Sequence, residues 1–242
     1  MKSSVGLLAA VATLSAASGA IAADLYIPPP AAPAPAFSWE GPYVGAKLGG
    51  AWGTETDDLS SLVISSGGQV ADSFSLSGFN AGVYGGNNWD INGLIVGLEG
   101  SLEYTGLNGS HQFTYEPGDA PFYTGTLSLA TDWQAFLKGR FGVPYDRALF
   151  YATAGFGVAH ATLSVTPDPQ DPYTAAASAS NIHFGGLVGA GAEYAFTDRL
   201  AGRLEVDFAS FGSKPYALGD TFGTVNASWV QATASAGLTL KF

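Results

Sequence analysis

The chain has no cysteine, one methionine and only 12% charged residues across 242 positions, where an ordinary soluble domain carries about 25% charged residues. The lack of cysteine excludes a disulfide framework, a thiolate metal site and a cysteine nucleophile. Basic residues are the scarcest charge: nine Lys and Arg stand against twenty Asp and Glu, for a net charge of -11. Nucleic acid is therefore excluded as a partner, because phosphates are gripped by clustered Lys and Arg. Aromatic residues at 13% in turn exclude a disordered acidic chain. Long apolar runs are absent after residue 39, so the mature chain has no helical membrane span.

What is present begins with Lys2, an apolar stretch from Val5 to Leu14, and the small-residue run Ala20-Ile21-Ala22. This order reads as a secretory signal peptide, residues 1–22, cut after Ala22. Residues 23–38 form a linker rich in Pro and Ala, with Pro28 to Ala36 favouring an extended polyproline conformation that buries no core. The remaining segment, 39–242, carries the fold.

Across that segment apolar residues alternate with polar ones at period 2, the signature of strands with two unlike faces. Eight such segments occur: 43–52, 79–89, 94–104, 127–143, 149–165, 182–196, 200–208 and 230–242. In 200–208, Leu200, Leu204, Val206 and Phe208 oppose Arg203, Glu205 and Asp207. In 127–143, Leu127, Leu129, Trp133, Ala135, Leu137, Phe141 and Val143 fall on one face and Asp132, Gln134, Lys138 and Arg140 on the other. Segment 149–165 has two competing apolar faces, so its orientation stays open. Short turns at 90–93, 144–147 and 197–199 alternate with long polar connections near 54–74, 105–124, 166–180 and 212–224. The fold expected is an all-β, eight-stranded antiparallel up-and-down barrel.

The charges decide which side of that barrel meets which solvent. Lys47, Glu99, Glu103, Asp132, Lys138, Arg140, Glu193, Arg203, Glu205, Asp207 and Lys241 all share the face opposite the aliphatics. A water-soluble barrel with an apolar lumen would leave eight strands of aliphatic surface in water. A transmembrane barrel places the aliphatics in lipid and lets Lys47, Glu99, Glu103, Asp132, Lys138, Arg140, Glu193, Arg203, Glu205 and Asp207 pair as a lumen network. Aromatic residues spaced about nine to twelve apart, such as Tyr43 with Trp52 and Phe184 with Phe196, match the girdles of a tilted membrane strand.

Several motifs carry a family resemblance over nearly the whole mature chain. They are Trp39-x-Gly41-x-Tyr43-Val44-Gly45 after the Pro/Ala linker, Gly86-x-Asn88-Trp89, Tyr151-Ala152-Thr153-x-Gly155, Gly189-x-Gly191-x-Glu193-Tyr194, Arg203-x-Glu205, and Gly237-Leu238 with terminal Phe242. With these the chain resembles the small outer-membrane β-barrel family of alphaproteobacteria, the RopB-type major outer-membrane antigens and their hemin-binding relatives. Val206 and Leu240 stand where aromatic residues are expected in relatives. The resemblance implies residence in the outer membrane of a Gram-negative cell and an antigen-like display of loops. It also implies that Leu238, Leu240 and Phe242 serve as the C-terminal signal read by the outer-membrane assembly machinery.

The candidate chemistry is thin. His111, His160 and His183 are the only histidines. His160 and His183 fall near the rim on neighbouring strands, and hemin, held by that pair, is the one cofactor candidate; bland interfacial imidazoles are the competing reading. Asp57-Asp58 and Asp168 with Asp171 could hold calcium, but the prolines between the latter point to solvated loop tips, and no metal is expected. Glu99 and Glu103 could suggest acid–base work, yet Lys47, Lys138, Arg140 and Arg203 offer them partners. Ser110, His111 and Asp119 do not make a triad. The expected protein is a non-enzymatic, monomeric structural barrel among outer-membrane lipid and lipopolysaccharide, not a wide diffusion pore, with host or envelope partners reached through its loops. The alternative is binding of hemin or another small ligand at the extracellular rim and loops.

Overall fold

A computed structural model of the chain describes residues 37–58, 73–115, 123–171 and 175–242. The signal peptide (1–22), the linker as far as residue 36, and Asp119 lie outside the described residues. Among the described residues nine strands form: β1 (Gly41–Asp57), β2 (Ser73–Ile91), β3 (Leu94–Thr105), β4 (Asn108–Tyr115), β5 (Tyr123–Tyr145), β6 (Ala148–Thr166), β7 (Ala177–Ala195), β8 (Leu200–Ala217) and β9 (Thr224–Lys241). All pairings are antiparallel, and β1 pairs with both β2 and β9, so the sheet closes into a ring of eight staves. Strand β4 continues the β3 stave after a break at 106–107 and pairs with β5. Each short turn takes its form from local chemistry. Asn92 (φ 57°) and Gly93 (φ 85°) adopt the paired positive φ of a tight hairpin turn, and Asp90 Oδ1 accepts from the Gly93 N–H at 2.7 Å.

The expected alternation is observed around most of the ring, apolar side out. Leu48, Phe79, Phe156, Phe184 and Leu204 are each 60–70% exposed, whereas Lys47, Asn80, Glu99, Lys138, Glu193 and Arg203 are buried. From Phe79 to Trp89 the outward run spans eleven residues, ten steps or roughly 33 Å of strand, which projects to about 25 Å when tilted by about 40°. That is the height of a lipid-facing belt. The faces left open in 149–165 are resolved: Phe150 and Phe156 turn out, while Leu149, Tyr151, Ala159 and Leu163 turn in and are buried.

The strands run well past the belt into stretches expected to be long connections. The physical reason lies inside. Above the charged lumen the interior is filled by a second, apolar core that includes Phe74, Leu76, Phe113, Leu127, Leu129, Leu163, Val165, Phe211, Tyr216 and Trp229, so these polar-looking segments have an inner face worth burying. A one-residue bulge between Thr131 and Gln134 makes this possible in β5. Below it Trp133, Leu137, Phe141 and Val143 face out, and above it Leu127 and Leu129 face in. Strict alternation had put all of these on one face; the bulge corrects it. A second one-residue bulge lies between Phe211 and Lys214 in β8. In this upper half the ring loosens at two seams. β2 meets β4 by a single pair, Ser77 with Asn108, and the β7–β8 pairing ends at Gly185 with Phe211.

Candidate functional site: the charged lumen

The alternation that turns aliphatics outward delivers charged side chains from five strands into one narrow volume. Lys47 (β1) lies 2.8 Å from Glu103 and 3.4 Å from Glu205. Lys138 (β5) lies 2.8 Å from Glu205 and 3.2 Å from Glu99, and both lysines are 3.7 Å from Asp207. Arg203 (β8) places Nη2 2.7 Å from Glu99 Oε2 and 2.7 Å from Glu193 Oε1, and Arg140 (β5) reaches the same Glu193 oxygen at 2.7 Å. Every one of these side chains is almost fully buried, which for a charge is tolerable only with close partners and further hydrogen bonds.

Those further bonds come from residues that the charge pattern did not single out. Tyr43 donates to Glu99 at 2.8 Å and Tyr151 to Glu205 at 2.8 Å, while Tyr84 shares a 2.7 Å bond with Thr239. The Arg203 guanidinium lies 3.8 Å from the Tyr84 ring centroid, and Arg140 lies 4.0 Å from that of Tyr151. Asn80 and Gln134 complete the set around Glu103 at 2.9 and 3.1 Å. All eight staves thus contribute to one cross-braced plug. Tyr84 lies across Gly45 and Tyr151 across Gly191, and a Cβ at either glycine would strike the phenol. The tyrosines were legible as large residues on the polar faces; their pairing was not.

The lower mouth is closed separately. Phe37 and Trp39 tuck beneath the ring, Trp39 packing with Ile95, Leu149 and Tyr151. Asn88 donates to the Trp39 carbonyl at 3.1 Å, and the Lys241 ammonium bonds the Ser38 carbonyl.

Of the ten residues expected in the lumen network, nine are there. Asp132 is the exception and a correction: the β5 bulge turns it outward, where Oδ2 meets His160 Nδ1 at 2.9 Å and Trp133 stacks on the imidazole. The hemin pair is not assembled either. His160 pairs in register with Ile182, not with His183, and the two histidines occupy opposite faces of the sheet: His160 outside, His183 fully buried inside. His183 instead contacts the Gly212 carbonyl and the Tyr216 hydroxyl, each at 2.7 Å. His111 faces inward beside Phe74 and is kept below its usual pKa by burial, against the pull of Asp57. Asp58 bonds the Asn226 backbone and side-chain amides, and Asp168 caps its own turn through Gln170. Among the described residues, no three His, Asp or Glu side chains converge on a metal-sized space. Leu238, Leu240 and Phe242 all face outward.

Comparison with known proteins gives a consistent answer. The family described as "Outer membrane protein beta-barrel domain" matches residues 7–242. The chain is 29% identical over 218 residues to the 31 kDa outer-membrane immunogenic protein of Brucella melitensis, covering 86% of this chain and 87% of that one. It is also 29% identical over 208 residues to the 22 kDa outer membrane protein of Rhizobium leguminosarum, covering 86% and 80%. Among solved structures it is similar to Neisserial surface protein A, with a TM-score of 0.43 and 17% identity over 84% of this chain and 97% of that one.

Proposed function

This chain belongs to the outer membrane protein β-barrel family, and we propose that its work in the outer membrane is structural: a closed, braced stave that stiffens the envelope and displays its long-loop end at the cell surface. The names of the Brucella and Rhizobium relatives place them in the outer membrane, and the Brucella proteins are described as immunogenic, which supports surface exposure. The observation that carries the reading is the lumen itself. Nine buried charges and three tyrosines tie the staves across the bore, and an eight-stranded ring is only wide enough for side chains.

Each of the five carboxylates of the charged plug, Glu99, Glu103, Glu193, Glu205 and Asp207, lies within 4 Å of a Lys or Arg nitrogen, so none of these stands ready as a free general acid or base, and we read the protein as non-enzymatic. The apolar belt is read as meeting lipid and lipopolysaccharide as a monomer. Outward-facing Leu238, Leu240 and Phe242 support their reading as the assembly signal. The test is single-channel recording on the refolded protein in planar bilayers. The expected result is no steady conductance of the size of a wide diffusion channel; such a conductance, recorded reproducibly, overturns the reading of a closed structural barrel.

A further inference from the structure

Above the lipid belt, the wall of the ring is closed between β7 and β8 by side chains in place of a backbone ladder. Pairing stops at Gly185 with Phe211, although β7 and β8 both continue upward, to Ala177 and Ala217. The cause is local. The bulge after Phe211 shifts the register of β8, and Pro215 follows. The Pro215 carbonyl faces β7, since it accepts from Asn181 Nδ2 at 2.6 Å. In a strand a residue's N–H and C=O share one edge, so the N–H that proline lacks is missing from that same edge. Two β7 side chains take over. Asn181 bonds the Pro215 carbonyl, and His183 Nδ1 donates to the Gly212 carbonyl at 2.7 Å. Behind them the His183 ring stacks on Tyr216 and packs against Trp229 at 4.6 Å. The inward positions Ala177, Ala179 and Asn181 of β7 are only half-buried, while Leu163 and Val165 on neighbouring β6 are buried.

We propose that this seam is a latch: His183 and Asn181 hold the upper parts of β7 and β8 together, and releasing them opens the surface-exposed half of the barrel sideways onto its apolar core of Phe211, Tyr216 and Trp229.

The absence of native cysteine gives a clean test. A single reporter thiol, Ala227→Cys, sits at a fully buried position opposite Lys214, and an exposed control, Thr224→Cys, lies on the same strand. The rate of labelling by a water-soluble maleimide, normalised to the control, is measured on the full protein in lipid vesicles. His183→Phe keeps a ring of similar size and removes both hydrogen bonds; it is expected to speed labelling about tenfold, and Asn181→Ala about threefold. Amide exchange over Leu127–Thr131 of β5 stays slow throughout if only the seam opens. An unchanged labelling rate in His183→Phe, or equal acceleration of exchange in β5, overturns the latch.

Discussion

Arg203 Nη2 lies 2.7 Å from Glu99 Oε2, so a guanidinium on β8 is joined across the bore to a carboxylate on β3, 104 residues away in sequence. The same nitrogen also holds Glu193. Removing the guanidinium leaves Glu99 to Lys138 and Tyr43, and Glu193 to Arg140, so the plug is one buried cation short, and breaking a buried pair from one side costs about 3–5 kcal/mol. Arg203→Met is expected to lower the urea midpoint of the protein in vesicles by that order, and Glu99→Gln added to it is expected to recover part of the loss. A double variant no better than Arg203→Met would show that the two side chains do not depend on each other.

The β5 bulge makes a sharper prediction about deletion. Thr131 and Gln134 face in while Asp132 and Trp133 both face out, so Asp132 is the extra residue. Its deletion leaves Thr131 in, Trp133 out and Gln134 in, with the faces of the whole strand preserved. Deleting Gly139 in the same strand reverses every side chain on one side of the cut. The Asp132 deletion is expected to fold with a stability within about 1 kcal/mol of the parent, and the Gly139 deletion is expected not to fold. Gel mobility of the unheated protein distinguishes the two.

Glu55 lies three residues above Trp52 at the upper edge of the belt, fully buried beside Asp57. Apart from the three histidines, the only cation in the chain above the belt is Lys214. Burial, then the neighbouring Asp57, push the Glu55 carboxyl up to about 9 from its usual 4.5. Between those values the folded protein holds a proton that the unfolded chain has released. The contribution is present in full below about 4.5 and is lost as pH rises through about 9. The urea midpoint is expected to fall between pH 6 and 9, and Glu55→Gln is expected to flatten that slope. An unchanged slope in Glu55→Gln would assign the effect to another group.

How far the sequence could be read depended on where the alternation was unbroken. In β8 and β9 every expected face is observed, because one side of each strand meets lipid and the other the bore, and a period-2 pattern is sufficient to separate them. In β6 both faces are apolar, since its upper inner face packs the second core; the pattern could not choose. The long connections looked like loops because their outer faces are Ser, Thr and Gly, and the inner residues that make them strands find partners only on other staves. Asp132 was misplaced by one inserted residue, and no residue type announces a bulge.

From sequence alone followed the eight-stave ring, the apolar exterior, the charge-filled bore and nine of its ten expected residues, because each rests on local period and charge. Only the tertiary structure decided which cation meets which carboxylate, which face His160 and His183 occupy, and where the ladder gives way to side chains. Those outcomes depend on register between strands far apart in the chain, and register is a property of the closed ring: a single extra residue at position 132 or the missing N–H of Pro215 changes partners that no local window contains.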